Sequence, residues 1–139
     1  MANYYASART SYAKMKCGKK FRDWADTIPE CKVITSASDK HGMLYGLIFT
    51  GDDCGSIPNS QWDEEADEHL DFDIYEEIQK HLADGWAISF KEAGAEKLRY
   101  ILGFAAIVTK DTIEHTTLGK WIDETMNGLG DPLHTSPEY

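Results

Sequence analysis

Two runs of this chain, Met43 to Thr50 (MLYGLIFT) and Leu98 to Val108 (LRYILGFAAIV), are apolar on both faces of an extended strand, apart from Arg99 near the start of the second. A strand with no face to give to water belongs centrally in a sheet, and the rest of the fold must supply its neighbours. Upstream of the first run, Cys31 to Ala37 (CKVITSA) is short and β-branched, and SDKHG between them supplies a turn, so the pair reads as a hairpin. Asn3 to Met15 alternates, with Tyr4, Ala6, Ala8, Thr10 and Tyr12 on one side, and reads as a strand with one half-polar face. Trp86 to Glu92 (WAISFKE) alternates in the same way, and AGAEK after it reads as the turn into the second apolar run.

Helical spacing appears in three places. Phe21, Trp24, Ala25 and Ile28 form one stripe, with Gly18 ahead of it and Pro29 closing it. Asp73 and Glu76 make a capping-box-like start for a helix with Tyr75, Ile78 and Leu82 facing inward and Gly85 as its stop. Thr116 or Thr117 opens a last helix with Leu118, Trp121, Ile122, Thr125 and Leu129 on one face. The order β-α-β-β-α-β-β-α, with tight hairpins and few crossovers, predicts an α+β fold. Its sheet is mostly antiparallel, with about five strands and about three helices on a face. At 139 residues the chain reads as one domain over 1–128, with an acidic insert at 51–79 and a loose tail at 129–139 that has Gly and Pro but no periodicity.

The charge is concentrated in that insert. Residues 51–79 hold eleven acids and no Lys or Arg, whereas the remaining 110 residues carry 13 acids against 14 bases. The net charge of −10 is therefore the property of one segment. The first 32 residues lean the other way, with seven bases and three acids, so the chain is dipolar. Within the insert, Ser60 to Asp71 reads either as a loop or as a short helix capped by Ser60, with Trp62, Ala66 and Leu70 inward. In the helical case Asp63–Asp67 and Glu64–Glu68 are like-charged pairs one turn apart, each costing about 0.2–0.5 kcal/mol. A fully helical insert would place one charge every ~4 Å, close to the ~3.4 Å spacing of a single nucleic-acid strand.

Chemistry-bearing patterns are scarce. Cys17, Cys31 and Cys54 are an odd set without CxxC or metal-finger spacing and read as free thiols of a reducing cytoplasm. No GxxxxGK[ST] or GxGxxG cradle is present, and Gly103 inside the last apolar run reads as a packing relief or bulge. The carboxylates with His69 beside Glu65 and Glu68 offer metal ligands, but neither EF-hand nor HExxH spacing holds them. No cofactor is therefore expected. No apolar run approaches the ~20 residues of a membrane span, and the first residues lack the pattern of a signal peptide. Acidity disfavours nucleic acid and anionic membranes as direct partners and favours basic protein surfaces.

The stretches NYYASART, HLADGW and AGAEKLRYILGFA resemble segments of small uncharacterised proteins of plasmids and other bacterial mobile elements, over about a fifth of the chain. In size and acidity the whole chain also resembles the anti-CRISPR and antirestriction inhibitors, some of which mimic DNA. That likeness is one of character and carries no residue across. It implies a non-enzymatic inhibitor or adaptor in a bacterial cytoplasm that binds a basic, nucleic-acid-handling surface of a defence complex. The expected contact residues are Trp62 as apolar anchor with Asp63, Glu64, Glu65, Asp67, Glu68, Asp71 and Asp73. Two other readings stand beside it: a small metal-dependent hydrolase using His69 and its carboxylates, and a structural module forming a homodimer through a Tyr-rich first strand at an open sheet edge.

Overall fold

The computed structural model describes residues 5–50, 57–58, 60–63, 68–71, 73–96, 100–130, 132–133 and 135. In chain order the elements are β1 (Tyr5–Thr10), α1 (Gly18–Ala25), β2 (Cys31–Ser38), β3 (Gly42–Phe49), β4 (Ser60–Asp63), β5 (Glu68–Asp71), α2 (Ile74–His81), β6 (Ala87–Glu96), β7 (Tyr100–Thr109), β8 (Ile113–Thr117) and α3 (Leu118–Gly128). Six strands form one antiparallel sheet in the order β2-β3-β1-β6-β7-β8, and β4 and β5 form a separate two-stranded hairpin. The architecture is α+β, as the patterning implied. The sheet has one strand more than expected, because β8 went unread.

Both doubly apolar runs lie inside the sheet. β3 sits between β2 and β1, and β7 sits between β6 and β8. β1 is interior as well, between β3 and β6, so among the described residues the first strand is not an outer strand of the sheet. Its ladder with β6 runs from Tyr5↔Ala95 to Thr10↔Phe90, whereas it meets β3 only at Ala8↔Phe49 and Arg9↔Ile48. Beyond Thr10 the chain bends, and Ala13 then exchanges backbone bonds with Tyr45 at 2.8 and 2.9 Å. The buried Thr10 hydroxyl covers the gap: it accepts from Leu47 N–H at 2.9 Å and donates to the Ser11 carbonyl at 2.8 Å.

One sheet face carries the core. Ala8 and Thr10 of β1, Leu47 and Phe49 of β3, Ile88 and Phe90 of β6, and Ala106 and Val108 of β7 are buried there. α1 adds Phe21 and Ala25, followed by Ile28, and α2 adds Ile74 and Ile78, followed by Leu82. The stripe read from the sequence is thus the one α1 buries, although the helix ends at Ala25 and Ile28 packs from the turn beyond it. The opposite face is largely open on β6 and β7, where Lys91, Ala93, Ala105, Ile101 and Ile107 are exposed.

Two local expectations are corrected and one strand is added. Ala93 to Glu96 continues β6 instead of turning, since ten residues of β6 pair without a break along β7. Small side chains are no obstacle in such an interior ladder. Ile113 to Thr117 is a strand, completing the sheet against Phe104 to Val108. Ser60 to Asp63 and Glu68 to Asp71 are strands, not helix or loop. A helix there would have stacked like charges one turn apart, and the helical charge spacing does not apply. The loose tail lies mostly outside the described residues. Among the described residues, no helix is long and apolar enough to cross a membrane.

Candidate functional site: an acidic hairpin beside a groove

Local sequence fixes both ends of the acidic arm. At its exit, Asp73 caps α2, its Oδ1 accepting from Tyr75 N–H at 2.9 Å and Glu76 N–H at 3.2 Å. Such a cap stabilises a helix start by about 1 kcal/mol, and Glu76 and Glu77 in the first turn suit the helix dipole. At its entry, Ile57 N–H donates to Glu92 Oε1 of β6 at 2.7 Å. Between these two fixed points stands the hairpin, with Ser60↔Asp71, Gln61↔Leu70, Trp62↔His69 and Asp63↔Glu68 in register. The arm belongs to neither edge of the six-stranded sheet.

Of the predicted contact residues, Trp62, Asp63, Glu68 and Asp71 therefore lie on one hairpin, and Asp73 lies at its base. Glu64, Glu65 and Asp67 fall outside the described residues. Register sets Asp63 opposite Glu68, and like charges facing each other across a ladder do not stabilise it. For the hydrolase reading, His69 is the register partner of Trp62. Among the described residues, no three His, Cys, Asp or Glu side chains converge as a metal site. Cys17 and Cys31 are free thiols.

A groove of about 1100 Å³ opens at the foot of the arm. One wall is Ile57 and Pro58 with the start of α2 (Asp73, Ile74 and Tyr75), so the chain enters and leaves the hairpin along this wall. The other wall is the end of β8 and the start of α3, and between them lie Ile101 to Phe104 of β7. An aromatic row crosses from the core into the groove. Tyr75 meets Phe90 edge-on at 4.9 Å and Phe104 at 6.0 Å, and His115 stacks on Phe104 at 6.0 Å. Burial pushes the Tyr75 hydroxyl up to about 12, with the negative charges of Glu92 and Asp73 adding to it. The phenol is therefore a neutral hydrogen-bonding group at physiological pH, not a base.

Sequence reading found the arm and missed the groove. Tyr75 was visible as a helix-stripe residue and as a candidate stacking contact, and Glu92 only as the end of an alternating run. His115 was hidden with β8, because TIEHTT shows no strict alternation of apolar and polar residues. Of the two readings of Gly103, packing relief or bulge, the structure fits the first: its ladder with Ala93 is unbroken, and a Cβ there would lie 2.6 Å from Cγ and Cδ1 of Leu118, the first residue of α3. The described residues that line the groove are aromatic, apolar and anionic, with His115 among them. No protein-family model, no curated protein and no solved structure matches this chain.

Proposed function

We propose that this protein is a non-enzymatic acidic inhibitor or adaptor of the anti-CRISPR or antirestriction kind. Its hairpin arm docks on a basic, nucleic-acid-handling surface of a bacterial defence complex. The supporting observation is the placement of the charge. Eleven acids without a Lys or Arg lie in residues 51–79, three of them (Asp63, Glu68 and Asp71) on a hairpin outside the six-stranded sheet, while the remainder of the chain is nearly neutral. Charge packed against the core would be spent on the fold; charge on an arm is available to a partner. Carboxylates presented in this way compete with phosphates for a cationic groove and release its counterions.

The test is capture from bacterial lysate at low and high salt, with the wild type and with a variant carrying D63K, E64K, D67K and E68K. The expected result is a nucleic-acid-binding complex held by the wild type at ~0.05 M salt and lost near 1 M, where the screening length shrinks to ~3 Å. The charge-reversed variant should not hold it, and nuclease or nucleic-acid binding by the captured complex should fall when wild type is added. Capture indifferent to both salt and charge reversal overturns the proposal.

A further inference from the structure

The geometry points to a strand-addition site in the groove. We infer that an extended segment of the partner, alternating apolar and basic residues, lies along the part of β7 that β8 leaves open. This deepens the preceding proposal and rests on it for the identity of the partner.

β7 pairs with β6 along all ten residues, from Glu96↔Tyr100 to Ala87↔Thr109. On its other side it pairs with β8 only from Phe104↔Thr117 to Val108↔Ile113. Thr117 then caps α3, its hydroxyl accepting from Lys120 N–H at 3.1 Å, and the chain leaves the sheet. Among the described residues, no strand continues that line beside Tyr100 to Gly103. About 14 Å of strand edge, four residues at ~3.4 Å each, therefore borders the groove. An open edge of this kind is a ready template for a guest strand, whose affinity comes from main-chain bonds and whose specificity comes from pockets for alternate side chains.

Two further observations define the guest. Ile101 and Leu102 are 60% and 49% exposed on this edge, and Leu118 is 52% exposed beside them, so apolar surface awaits a cover. Among the described residues that line the groove, the charged side chains are Asp73 and Glu92, each of which also accepts a backbone N–H. A guest that alternates apolar and basic residues satisfies both, and its cations run on towards the acidic arm. An acidic guest strand is disfavoured by the same lining.

The probe is a six-residue peptide alternating Lys and Val, followed by amide hydrogen exchange and chemical shifts on the intact protein. Its controls are the Glu–Val peptide and a Lys–Val peptide N-methylated at alternate amides. The expected result is that at least one amide among Ile101, Leu102 and Gly103 exchanges about tenfold more slowly with the Lys–Val peptide, with neither control having this effect. L102K should weaken binding of the same peptide by about tenfold or more, because it sets like charge against the guest. Shifts confined to residues 60–71, or equal binding by the N-methylated peptide, overturn strand addition. The two proposals fail separately. If L102K still captures the lysate complex and arm reversal does not, the arm reading stands and the groove reading falls. If the peptide protects β7 but no lysate complex responds to salt or charge reversal, the groove stands and the arm reading falls.

Discussion

Thr10 shows how one hydroxyl holds a sheet together where its ladder stops. The β1–β3 pairing has only two registered positions, and beyond them the buried Leu47 N–H finds the Thr10 hydroxyl instead of a backbone carbonyl. The side chain is 2% exposed and Leu47 is fully buried, so water cannot stand in. Thr10→Val keeps the shape and removes the acceptor. It should cost about 1–3 kcal/mol, the penalty for a buried donor left unmade, measured by the shift of the denaturant midpoint. Thr10→Ser should recover most of the loss, since it restores the acceptor. An equal loss in both variants would show that the methyl group, and not the bond, matters there.

The meeting of β7 with α3 turns on Gly103. Any side chain at that position must displace Leu118, because both its Cγ and its Cδ1 lie 2.6 Å from the position a Cβ would occupy. Gly103→Ala should therefore push the half-exposed Leu118 side chain into another rotamer and lower the thermal midpoint modestly, at a cost of about 0.5–1.5 kcal/mol. Pairing the change with Leu118→Ala should relieve most of it. Elements were legible in the sequence where periodicity and punctuation agreed. β2 and β3 emerged from a β-branched run, a turn and an apolar run. α2 emerged from Asp73 and the spacing of Tyr75, Ile78 and Leu82, although the helix ends at His81, before the left-handed Gly85. β8 was lost because its five residues are mostly exposed and polar, so its one contribution to the core face, Ile113, gave no repeating signal. Ser60 to Asp71 was misread because the spacing of Trp62, Ala66 and Leu70 fits a helical face, whereas Ser60–Asp63 and Glu68–Asp71 pair as short antiparallel strands.

Across the whole molecule, charge was legible and concavity was not. The arm stood out because composition alone locates eleven acids. The groove depends on which strand overhangs which, a matter of register between β7 and β8 that no single segment encodes. Stability across pH should likewise reflect distant sites. Burial lowers the pKa of His81, which stacks on Trp24 at 5.1 Å, and its lysine neighbours add to this against the opposing pull of Glu77. The native state therefore prefers the neutral ring, and stability should fall as pH drops below about 6.5. On the alkaline side burial, aided by Asp26, pushes the Cys31 thiol up to about 12, and Tyr75 also stands at about 12. The unfolded chain ionises these groups near 9 and 10, so stability should decline above pH 9 and more steeply above 10. Denaturant midpoints from pH 5 to 11 should trace this plateau, and Cys31→Ala should delay the onset of the alkaline decline towards pH 10.

The interior position of β1 also sets an order of events during synthesis. β1 joins the β2–β3 hairpin to the β6–β7–β8 meander, yet its longer ladder is with β6, where Tyr5 pairs with Ala95 across 95 − 5 = 90 positions of chain. At ~5–20 residues per second, a ribosome delivers that partner roughly 5–20 s after β1 itself. In that interval β1 can pair with β3 at only two positions, and it presents its other edge to whatever is nearby. The meander, built from neighbours in sequence, is able to form as soon as it emerges. The last act of folding is then the closing of a seam by the strand that was made first.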